Sequence, residues 1–146
     1  MNLLVSACLM GLSCRYDGRS NLTPRLEEIM ARYTCIPVCA EVFGGLPTPR
    51  VPSERSGDKV LSKEGQDVTA EFVRGAQEVV RLAELYHCSA ALLKEKSPSC
   101  GSGKIYDGTF SKTLIPGDGV LTQMLREKGL TIYGESQVDA LLQTCP

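Results

Sequence analysis

The chain has 146 residues, of which 42% are hydrophobic and 23% are charged, and its formal net charge at pH 7 is −1. This length and composition are typical of a soluble globular protein, and we expect one domain spanning residues 1–146. The small net charge argues against a globally basic nucleic-acid-binding protein, and no apolar run reaches membrane-spanning length. Because the N-terminus lacks the basic and long apolar regions of a signal peptide, we expect a cytoplasmic protein.

Short apolar segments alternate with helix-like segments along the chain. Apolar runs bounded by polar or turn residues predict four core strands, at residues 2–7, 35–39, 89–93 and 130–133. Helical spacing and capping residues predict four helices: one starting at Thr23-Pro24 and reaching Tyr33, one at 68–87, one from Val120 to Gly129, and one capped by Ser136 and ending near Gln143. Residues 40–66 contain no long regular element, which is typical of a loop with a function.

The alternation predicts an α/β protein, specifically a small Rossmann-like three-layer α/β/α sandwich with a mostly parallel four-stranded sheet. We predict the strand order second, first, third, fourth, which places the ends of the first and third strands at the point where ligands bind. Two short hairpins are predicted in addition. One turns at Gly57-Asp58, and the other turns at Asp107-Gly108 between Lys104–Tyr106 and Thr109–Ser111.

Seven cysteines are many for such a chain, and their odd number argues against a disulfide framework. Cys8, Cys39 and Cys100 each follow a predicted strand. Because the carboxyl ends of parallel strands lie at one edge of a sheet, we expect these three thiols to converge there. The other cysteines outside this region are interpreted as core residues or as part of a frayed C-terminus: Cys35, Cys88 and Cys145.

Three converging thiolates are typical of zinc with an open position or of an iron–sulfur cluster with one iron free. Cys14 is a fourth candidate ligand, which we rank behind the others because it does not end a strand; four ligands would favour a structural or sensing centre. Another alternative is a nucleophilic thiolate at Cys100, activated by Lys94 or Lys96. The simplest interpretation is buried cysteines near turns.

Polar residues beside these cysteines are candidates for catalysis and substrate binding. Glu41 would face the same side as Cys39 if the backbone between them stays extended, and could then transfer protons; otherwise it is a solvated surface residue. Ser97 and Ser99 flank Cys100 as hydrogen-bond donors or as turn caps. Basic side chains and backbone amides that could hold an anionic substrate are those of Arg15, Arg50, Lys94 and Lys104 and of Gly101 and Gly103.

Four stretches of the chain resemble a known bacterial family. They are Ser6-Ala7-Cys8-Leu9-Met10-Gly11, Cys14-Arg15-Tyr16-Asp17-Gly18, Pro37-Val38-Cys39-Ala40-Glu41-Val42-Phe43-Gly44-Gly45-Leu46-Pro47-Thr48-Pro49-Arg50 and Lys94-Glu95-Lys96-Ser97-Pro98-Ser99-Cys100-Gly101. The chain resembles the domain of unknown function 523 family over essentially its whole length. Characterised relatives are thiouracil desulfidases. Ala40 departs from the proline that is frequent in relatives, but the Cys-x-Glu spacing is intact.

The resemblance implies a 4Fe–4S cluster held by Cys8, Cys39 and Cys100, whose fourth iron takes the substrate's sulfur. It also implies that Glu41 serves proton transfer and that Ser97 positions water or substrate. The implied activity is non-redox, hydrolytic removal of sulfur, released as hydrogen sulfide, from 2-thiouracil, 4-thiouracil or 4-thiouridine monophosphate. The alternatives are a non-catalytic cluster or zinc sensor and a cluster-free thiol enzyme.

The expected partner is a small molecule, a thiolated pyrimidine base or nucleotide. Because the chain has no second domain to bring RNA, we expect a free base or nucleotide rather than intact RNA as substrate. No membrane partner is expected. A monomer and a homodimer are both compatible with the sequence.

Overall fold

The computed structural model describes residues 1–144, so the interpretation of Cys145 lies outside the described residues. The strands are β1 (Asn2–Ser6), β2 (Thr34–Val38), β3 (Ser53–Ser56), β4 (Lys59–Ser62), β5 (Ala90–Leu93), β6 (Lys104–Tyr106), β7 (Leu114–Pro116) and β8 (Thr131–Gly134). The α-helices are α1 (Leu26–Arg32), α2 (Ala40–Phe43), α3 (Thr69–Leu85), α4 (Val120–Glu127) and α5 (Val138–Gln143). Two 3₁₀ turns lie at Ala7–Met10 and Glu135–Gln137.

A four-stranded parallel sheet forms the centre of the fold, with the order β2-β1-β5-β8. These are the second, first, third and fourth of the predicted core strands, so the predicted order is confirmed. All four strands run in the same direction, and the carboxyl ends of β1, β2 and β5 therefore lie at one edge. The chain places its cysteine-bearing segments at this edge.

Helices cover both faces of the sheet, as the three-layer prediction requires. Helices α3 and α4 bury their apolar faces on one side, against residues such as Leu4 and Ala91. Helices α1 and α5 pack on the other side, against Leu3 and Leu92. Neighbouring strand residues point to opposite faces, which divides the core into two apolar clusters. Within residues 1–144, no helix combines the length and apolarity needed to cross a membrane.

Two short antiparallel hairpins stand apart from the sheet. Strands β3 and β4 turn at Gly57-Asp58, as predicted. Strand β6 pairs with β7, which corrects the prediction that its partner is Thr109–Ser111. The reason is local, because the Asp107 carboxylate accepts the backbone amide of Thr109 at 2.9 Å and bends the chain away from strand pairing. A longer loop, residues 107–113, therefore joins the two strands.

Several element boundaries differ from the prediction. Helix α1 begins at Leu26 rather than Pro24, because Arg25 adopts a left-handed conformation (φ 65°) that a right-handed helix cannot contain. Ser136 lies inside a 3₁₀ turn before α5 instead of capping that helix. Tyr86, predicted to extend the apolar stripe of α3, is 49% exposed because α3 ends one residue before it.

Candidate active site

A cavity of about 400 Å³ lies at the edge of the sheet where β1, β2 and β5 end. Its volume falls within the range of about 300–1,000 Å³ that is usual for small-molecule sites. The predicted site residues that line it are Cys8, Cys14, Arg15, Cys39, Glu41, Arg50, Lys94, Ser97, Ser99 and Cys100. Three predicted substrate-binding residues, Gly101, Gly103 and Lys104, lie outside this lining. The structure thus brings most of the predicted site together.

The three cysteines predicted to end strands occupy three different local structures. Cys8 lies in the 3₁₀ turn that follows β1, and Cys39 is the extended residue between β2 and α2. Cys100 lies in the turn between β5 and β6, where its carbonyl oxygen accepts a hydrogen bond from Thr122 Oγ1 at 2.8 Å. Cys8 and Cys100 are both buried. Each thiol is therefore positioned by a segment that follows a strand, at the same edge of the sheet.

Cys14 lies among the other thiols, although it does not follow a strand. Its carbonyl oxygen accepts a hydrogen bond from Cys39 Sγ at 3.8 Å, and its thiol is close enough to those of Cys8 and Cys39 to change their pKa values. The Cys14 thiol is the largest influence on Cys8, and it lowers the pKa of that thiol. The pKa of Cys39 is raised, first by its hydrogen bond to Cys14 and then by burial. Cys8 is therefore easier to deprotonate than Cys14, Cys39 and Cys100, whose pKa values are all raised.

Cys100 is the most strongly desolvated of these thiols. Burial raises its pKa to about 12, and the hydroxyl of Ser6 opposes that shift. A thiol held in its protonated form is a poor nucleophile at neutral pH. This environment argues against the alternative in which Cys100 acts as a free nucleophile. The nearby Ser99 hydroxyl also lowers the pKa of Cys100. The Ser99 Oγ atom is nevertheless buried without a hydrogen-bond partner.

Ser97 organises the turn that carries Cys100. Its hydroxyl oxygen accepts the backbone amides of Ser99 and Cys100, each at 3.1 Å. It therefore caps the turn, as one interpretation of the sequence predicts, and it also lines the cavity. Because the oxygen already accepts two amides, its own hydrogen is available to donate to a molecule in the cavity.

Glu41 reaches the cavity from a helix rather than from an extended segment. Helix α2 begins at Ala40, which corrects the expectation that the backbone stays extended from Cys39 to Glu41. Burial raises the pKa of the Glu41 carboxyl, and the nearby Arg50 guanidinium opposes that shift. A buried carboxylate with a raised pKa suits proton transfer near neutral pH.

Arg50 is built into the wall of the cavity. Its Nε donates to Glu41 Oε1 at 3.1 Å, and its Nη2 donates to the carbonyl oxygen of Cys14 at 2.9 Å. Its Nη1 donates to Thr48 Oγ1 at 3.0 Å and to the carbonyl oxygen of Pro47 at 3.2 Å. With only 6% of its side chain exposed, Arg50 is an anchor that joins the Cys14 loop to Glu41.

Lys94 and Arg15 line the cavity but already have partners. Lys94 Nζ pairs with Glu135 at 2.8 Å, and Arg15 Nη1 donates to Asn21 Oδ1 at 2.7 Å. Arg15 also pairs with Asp17 at 3.2 Å. These contacts fix the positions of both basic groups at the cavity wall.

The backbone amides of the glycines near Cys100 already donate hydrogen bonds to other groups of the protein. The Gly101 amide donates to the carbonyl oxygen of Ser97 at 2.8 Å, and the Gly103 amide donates to Asp118 Oδ1 at 2.9 Å. This corrects the expectation that these amides approach a substrate. A side chain on Gly101 would also approach the carbonyl oxygen of Ser97 to 2.6 Å, so the glycine serves close packing.

Lys96, named above as a possible activator of Cys100, also lines the cavity, and so do Ser6 and Tyr16 of the family motifs. The remaining lining residues include several that carry no local signal in the sequence: Asn21, Glu54, Lys63, Tyr106, Phe110 and Lys112. Asn21 is notable because its Nδ2 is buried without a hydrogen-bond partner, while its Oδ1 accepts from Arg15. A buried donor without a partner costs about 1–3 kcal/mol, which points to a ligand at this position.

In residues 1–144, no three His, Cys, Asp or Glu side chains are arranged to hold a single metal ion.

A family model and a solved structure both connect this chain with thiouracil desulfuration. The sequence model of the 2-thiouracil desulfurase family matches residues 3–137. An uncharacterized protein of Bacillus subtilis (strain 168), YbbK, is 36% identical over 150 residues, which cover 96% of this chain and 99% of YbbK. The solved structure of the [4Fe-4S]-dependent thiouracil desulfidase TudS is 45% identical, with a TM-score of 0.91. That match covers 96% of this chain and 94% of TudS.

Proposed function

The chain belongs to the 2-thiouracil desulfurase family, and we propose that it removes sulfur from a thiolated uracil base or nucleotide by hydrolysis. We further propose that a 4Fe–4S cluster held by Cys8, Cys39 and Cys100 is its cofactor, in one domain spanning residues 1–146. The similar TudS protein is named as a [4Fe-4S]-dependent thiouracil desulfidase. A cytoplasmic location and a monomeric or homodimeric state stay predictions.

One observation supports this proposal above all. Three cysteines, Glu41 and Ser97 come from separate parts of the chain and line one cavity of substrate size. A structural metal site needs the cysteines but neither a buried carboxylate nor a free hydroxyl donor beside them. The combination of soft ligands with a proton-transfer group favours catalysis.

The donor set fits an iron–sulfur cluster. Thiolates are the usual ligands of such clusters, and Cys8, Cys39 and Cys100 all line the cavity. Two buried polar atoms at the cavity, Asn21 Nδ2 and Ser99 Oγ, have no hydrogen-bond partner. Both can donate to sulfur, and such donors tune iron–sulfur centres. When bound, the cluster supplies a soft Lewis-acidic iron that can take the substrate's sulfur.

The reaction that we propose replaces sulfur by oxygen without a change of oxidation state. Water adds to the ring carbon that bears sulfur, the carbon–sulfur bond breaks, and the products are the ordinary carbonyl compound and hydrogen sulfide. Glu41 takes the proton from the attacking water, and Ser97 donates its hydroxyl hydrogen to orient that water or the substrate. Arg50 holds the Glu41 carboxylate in place through the 3.1 Å bond.

The charge of the cavity favours an anionic substrate. Six basic side chains line it: Arg15, Arg50, Lys63, Lys94, Lys96 and Lys112. Three of them are paired with carboxylates, Arg15 with Asp17, Arg50 with Glu41 and Lys94 with Glu135. The excess therefore comes from Lys63, Lys96 and Lys112, against Glu54. This excess of positive charge would attract a phosphate group. We therefore place a nucleotide such as 4-thiouridine monophosphate beside the free bases 2-thiouracil and 4-thiouracil as a candidate substrate, and we do not expect intact RNA.

The test is anaerobic reconstitution of the purified protein with iron and sulfide. Iron content and the visible spectrum report the cluster, and incubation with 2-thiouracil, 4-thiouracil and 4-thiouridine monophosphate reports the activity. We expect about four irons per chain, released sulfide and the matching uracil product. The relative rates rank the substrates.

Three outcomes would overturn the proposal. A brown protein with a full iron content that releases no sulfide from any of the three compounds would indicate a non-catalytic iron–sulfur protein. A colourless protein that binds one zinc ion would indicate a structural or sensing centre. Sulfide release by the iron-free protein would favour a thiol enzyme instead.

A further inference from the structure

We propose that Phe110 forms the wall on which the pyrimidine ring of the substrate stacks, and that Glu54 is the positioning residue that holds Phe110 there. This inference rests on the proposed function and extends it to the recognition of the ring. Neither residue belongs to the motifs by which the sequence resembles its family. Both line the cavity.

The loop that carries Phe110 has an unusual backbone. Phe110 has φ 58° and Lys112 has φ 60°, and both residues line the cavity. Left-handed backbone is rare for residues other than glycine and asparagine, and it is uncommon for an aromatic residue. Such strained conformations persist only where the surroundings impose them, and they are concentrated at ligand-binding sites.

A buried carboxylate imposes this conformation. Glu54 on β3 is only 9% exposed, and its Oε1 accepts the backbone amides of Gly108 at 3.0 Å and of Phe110 at 3.1 Å. Gly108 itself requires a positive φ of 96°, and a side chain there would approach Ser56 Cβ to 3.0 Å. Two hydrogen bonds, from the amides of Gly108 and Phe110, therefore connect the loop to the β3–β4 hairpin. They hold Phe110 at the cavity.

The chemistry of the wall matches a planar heterocycle. The motif residues that line the cavity supply mainly thiols, hydroxyls and charges, which suit the sulfur and any phosphate. The aromatic residue among them, Tyr16, already has the Arg15 guanidinium over its ring, 5.8 Å from the ring centroid. Phe110 supplies a flat apolar surface, and Tyr106 of the same hairpin also lines the cavity. Stacking of a base on an aromatic ring is worth roughly ten- to hundredfold in affinity, and it does not depend on which base is present.

The experiment compares the reconstituted wild type with Phe110→Ala, Phe110→Leu and Phe110→Tyr. We expect Ala and Leu to raise KM for 2-thiouracil and 4-thiouridine monophosphate about tenfold or more with kcat unchanged, because stacking stabilises ground state and transition state alike. Tyr should keep KM within about twofold, since it retains the ring. If Phe110 only fills space, Phe110→Leu should instead keep the wild-type KM, because leucine occupies a similar volume.

Glu54→Ala should raise KM in the same direction, because the loop loses both contacts, whereas Glu54→Gln retains an acceptor and should lie between it and the wild type. Tyr86→Ala removes an exposed aromatic residue that does not line the cavity, and it should leave KM unchanged. Circular dichroism and iron content check that each variant is folded and loaded.

Calorimetric titration with uracil separates this inference from the proposed function. If the wild type releases no sulfide, the proposed function fails, while weaker uracil binding by Phe110→Ala than by the wild type would still support the stacking wall. If the wild type is active and Phe110→Ala and Phe110→Leu keep its KM and its affinity for uracil, the stacking wall is wrong. No binding of uracil to the wild type would overturn it as well.

Discussion

Arg50 Nε lies 3.1 Å from Glu41 Oε1, and this ion pair joins a proposed catalytic carboxylate to the loop that carries Cys14. Only 6% of the Arg50 side chain and 19% of the Glu41 side chain are exposed. Both groups are largely removed from water. Removing either one would therefore leave the other as a buried charge without a partner. The pair therefore links the stability of the fold to the geometry of the site.

Replacing the carboxylate tests its role in the reaction. Glu41→Ala should retain the cluster, because the cysteines are untouched, and should lose turnover. A positioned general base contributes about 10²- to 10⁴-fold to a rate, so we expect kcat to fall by that order. Iron content and sulfide release measured on the same sample provide the comparison. Full activity in this variant would remove Glu41 from the mechanism.

Replacing Arg50 tests how much stability is lost when the Glu41 carboxylate has no ion-pair partner. Arg50→Met should lower the free energy of unfolding of the cluster-free protein by about 3–5 kcal/mol, the usual cost of breaking a buried ion pair. Denaturant-induced unfolding measures it. Arg126→Met is the control, because Arg126 pairs with Asp118 at a more exposed site and should cost no more than about 1 kcal/mol. Equal losses in the two variants would contradict a special role for the Arg50 pair.

Single substitutions can show which of the four cysteines at the cavity hold the iron–sulfur cluster and which only lie beside it. If Cys8, Cys39 and Cys100 are the ligands, Cys39→Ala should lose iron and activity together. Cys14→Ala should keep about four irons per chain after reconstitution, because an open iron needs no fourth thiolate. Iron quantitation and the visible spectrum distinguish the two. Loss of the cluster in Cys14→Ala would make it a fourth ligand and would favour a sensing centre.

The contact between α2 and α3 is so close that it excludes a side chain. A Cβ atom on Gly75 would overlap the carbonyl oxygen of Ala40 and would lie 3.0 Å from the backbone nitrogen of Gly44. Glycine-to-alanine changes inside helices usually stabilise by about 0.5–1 kcal/mol. We expect the opposite sign for Gly75→Ala, a loss of about 1–3 kcal/mol, because α2 must move.

Denaturant-induced unfolding of the cluster-free protein checks this expectation, with Gln77→Ala on the exposed side of α3 as a control near zero. Because α2 carries Glu41, the Gly75→Ala variant should also lose activity. A stability equal to or above that of the wild type would show that the two helices separate without cost.

The start of α3 predicts a dependence of stability on pH. Asp67 Oδ1 accepts the amide of Thr69 at 3.0 Å, and the hydrogen bonds from Thr69 lower the pKa of this carboxyl below its ordinary value of 3.8. Its contribution is therefore present above pH 3.8 and is lost as the pH falls through the folded-state pKa. Asp67→Ala should be less stable than the wild type at pH 7, and the difference should shrink in acid. Asp67→Asn, which keeps an acceptor without a titrating group, is the control.

The sequence by itself determined the framework. Apolar runs and helical spacing are local properties, so the four core strands, the long helix and the parallel order could all be predicted. The convergence of Cys8, Cys39 and Cys100 follows from that order, because parallel strands end at one edge. The second hairpin was predicted wrongly, because the acceptor that bends its loop is the side chain of Asp107 rather than a partner strand.

Only the tertiary structure decided the contacts that complete the site. Cys14 lies beside Cys8 and Cys39 because the loop after β1 reaches the residue that follows β2, and Arg50 reaches Glu41 because the loop after α2 returns to the same edge. Phe110 is brought to the cavity by Glu54, which is distant in sequence. Each contact depends on how separate segments fold together, and no pattern within a segment specifies such a distance. Residue types therefore allowed a chemistry to be predicted for the site, whereas long-range packing set its geometry.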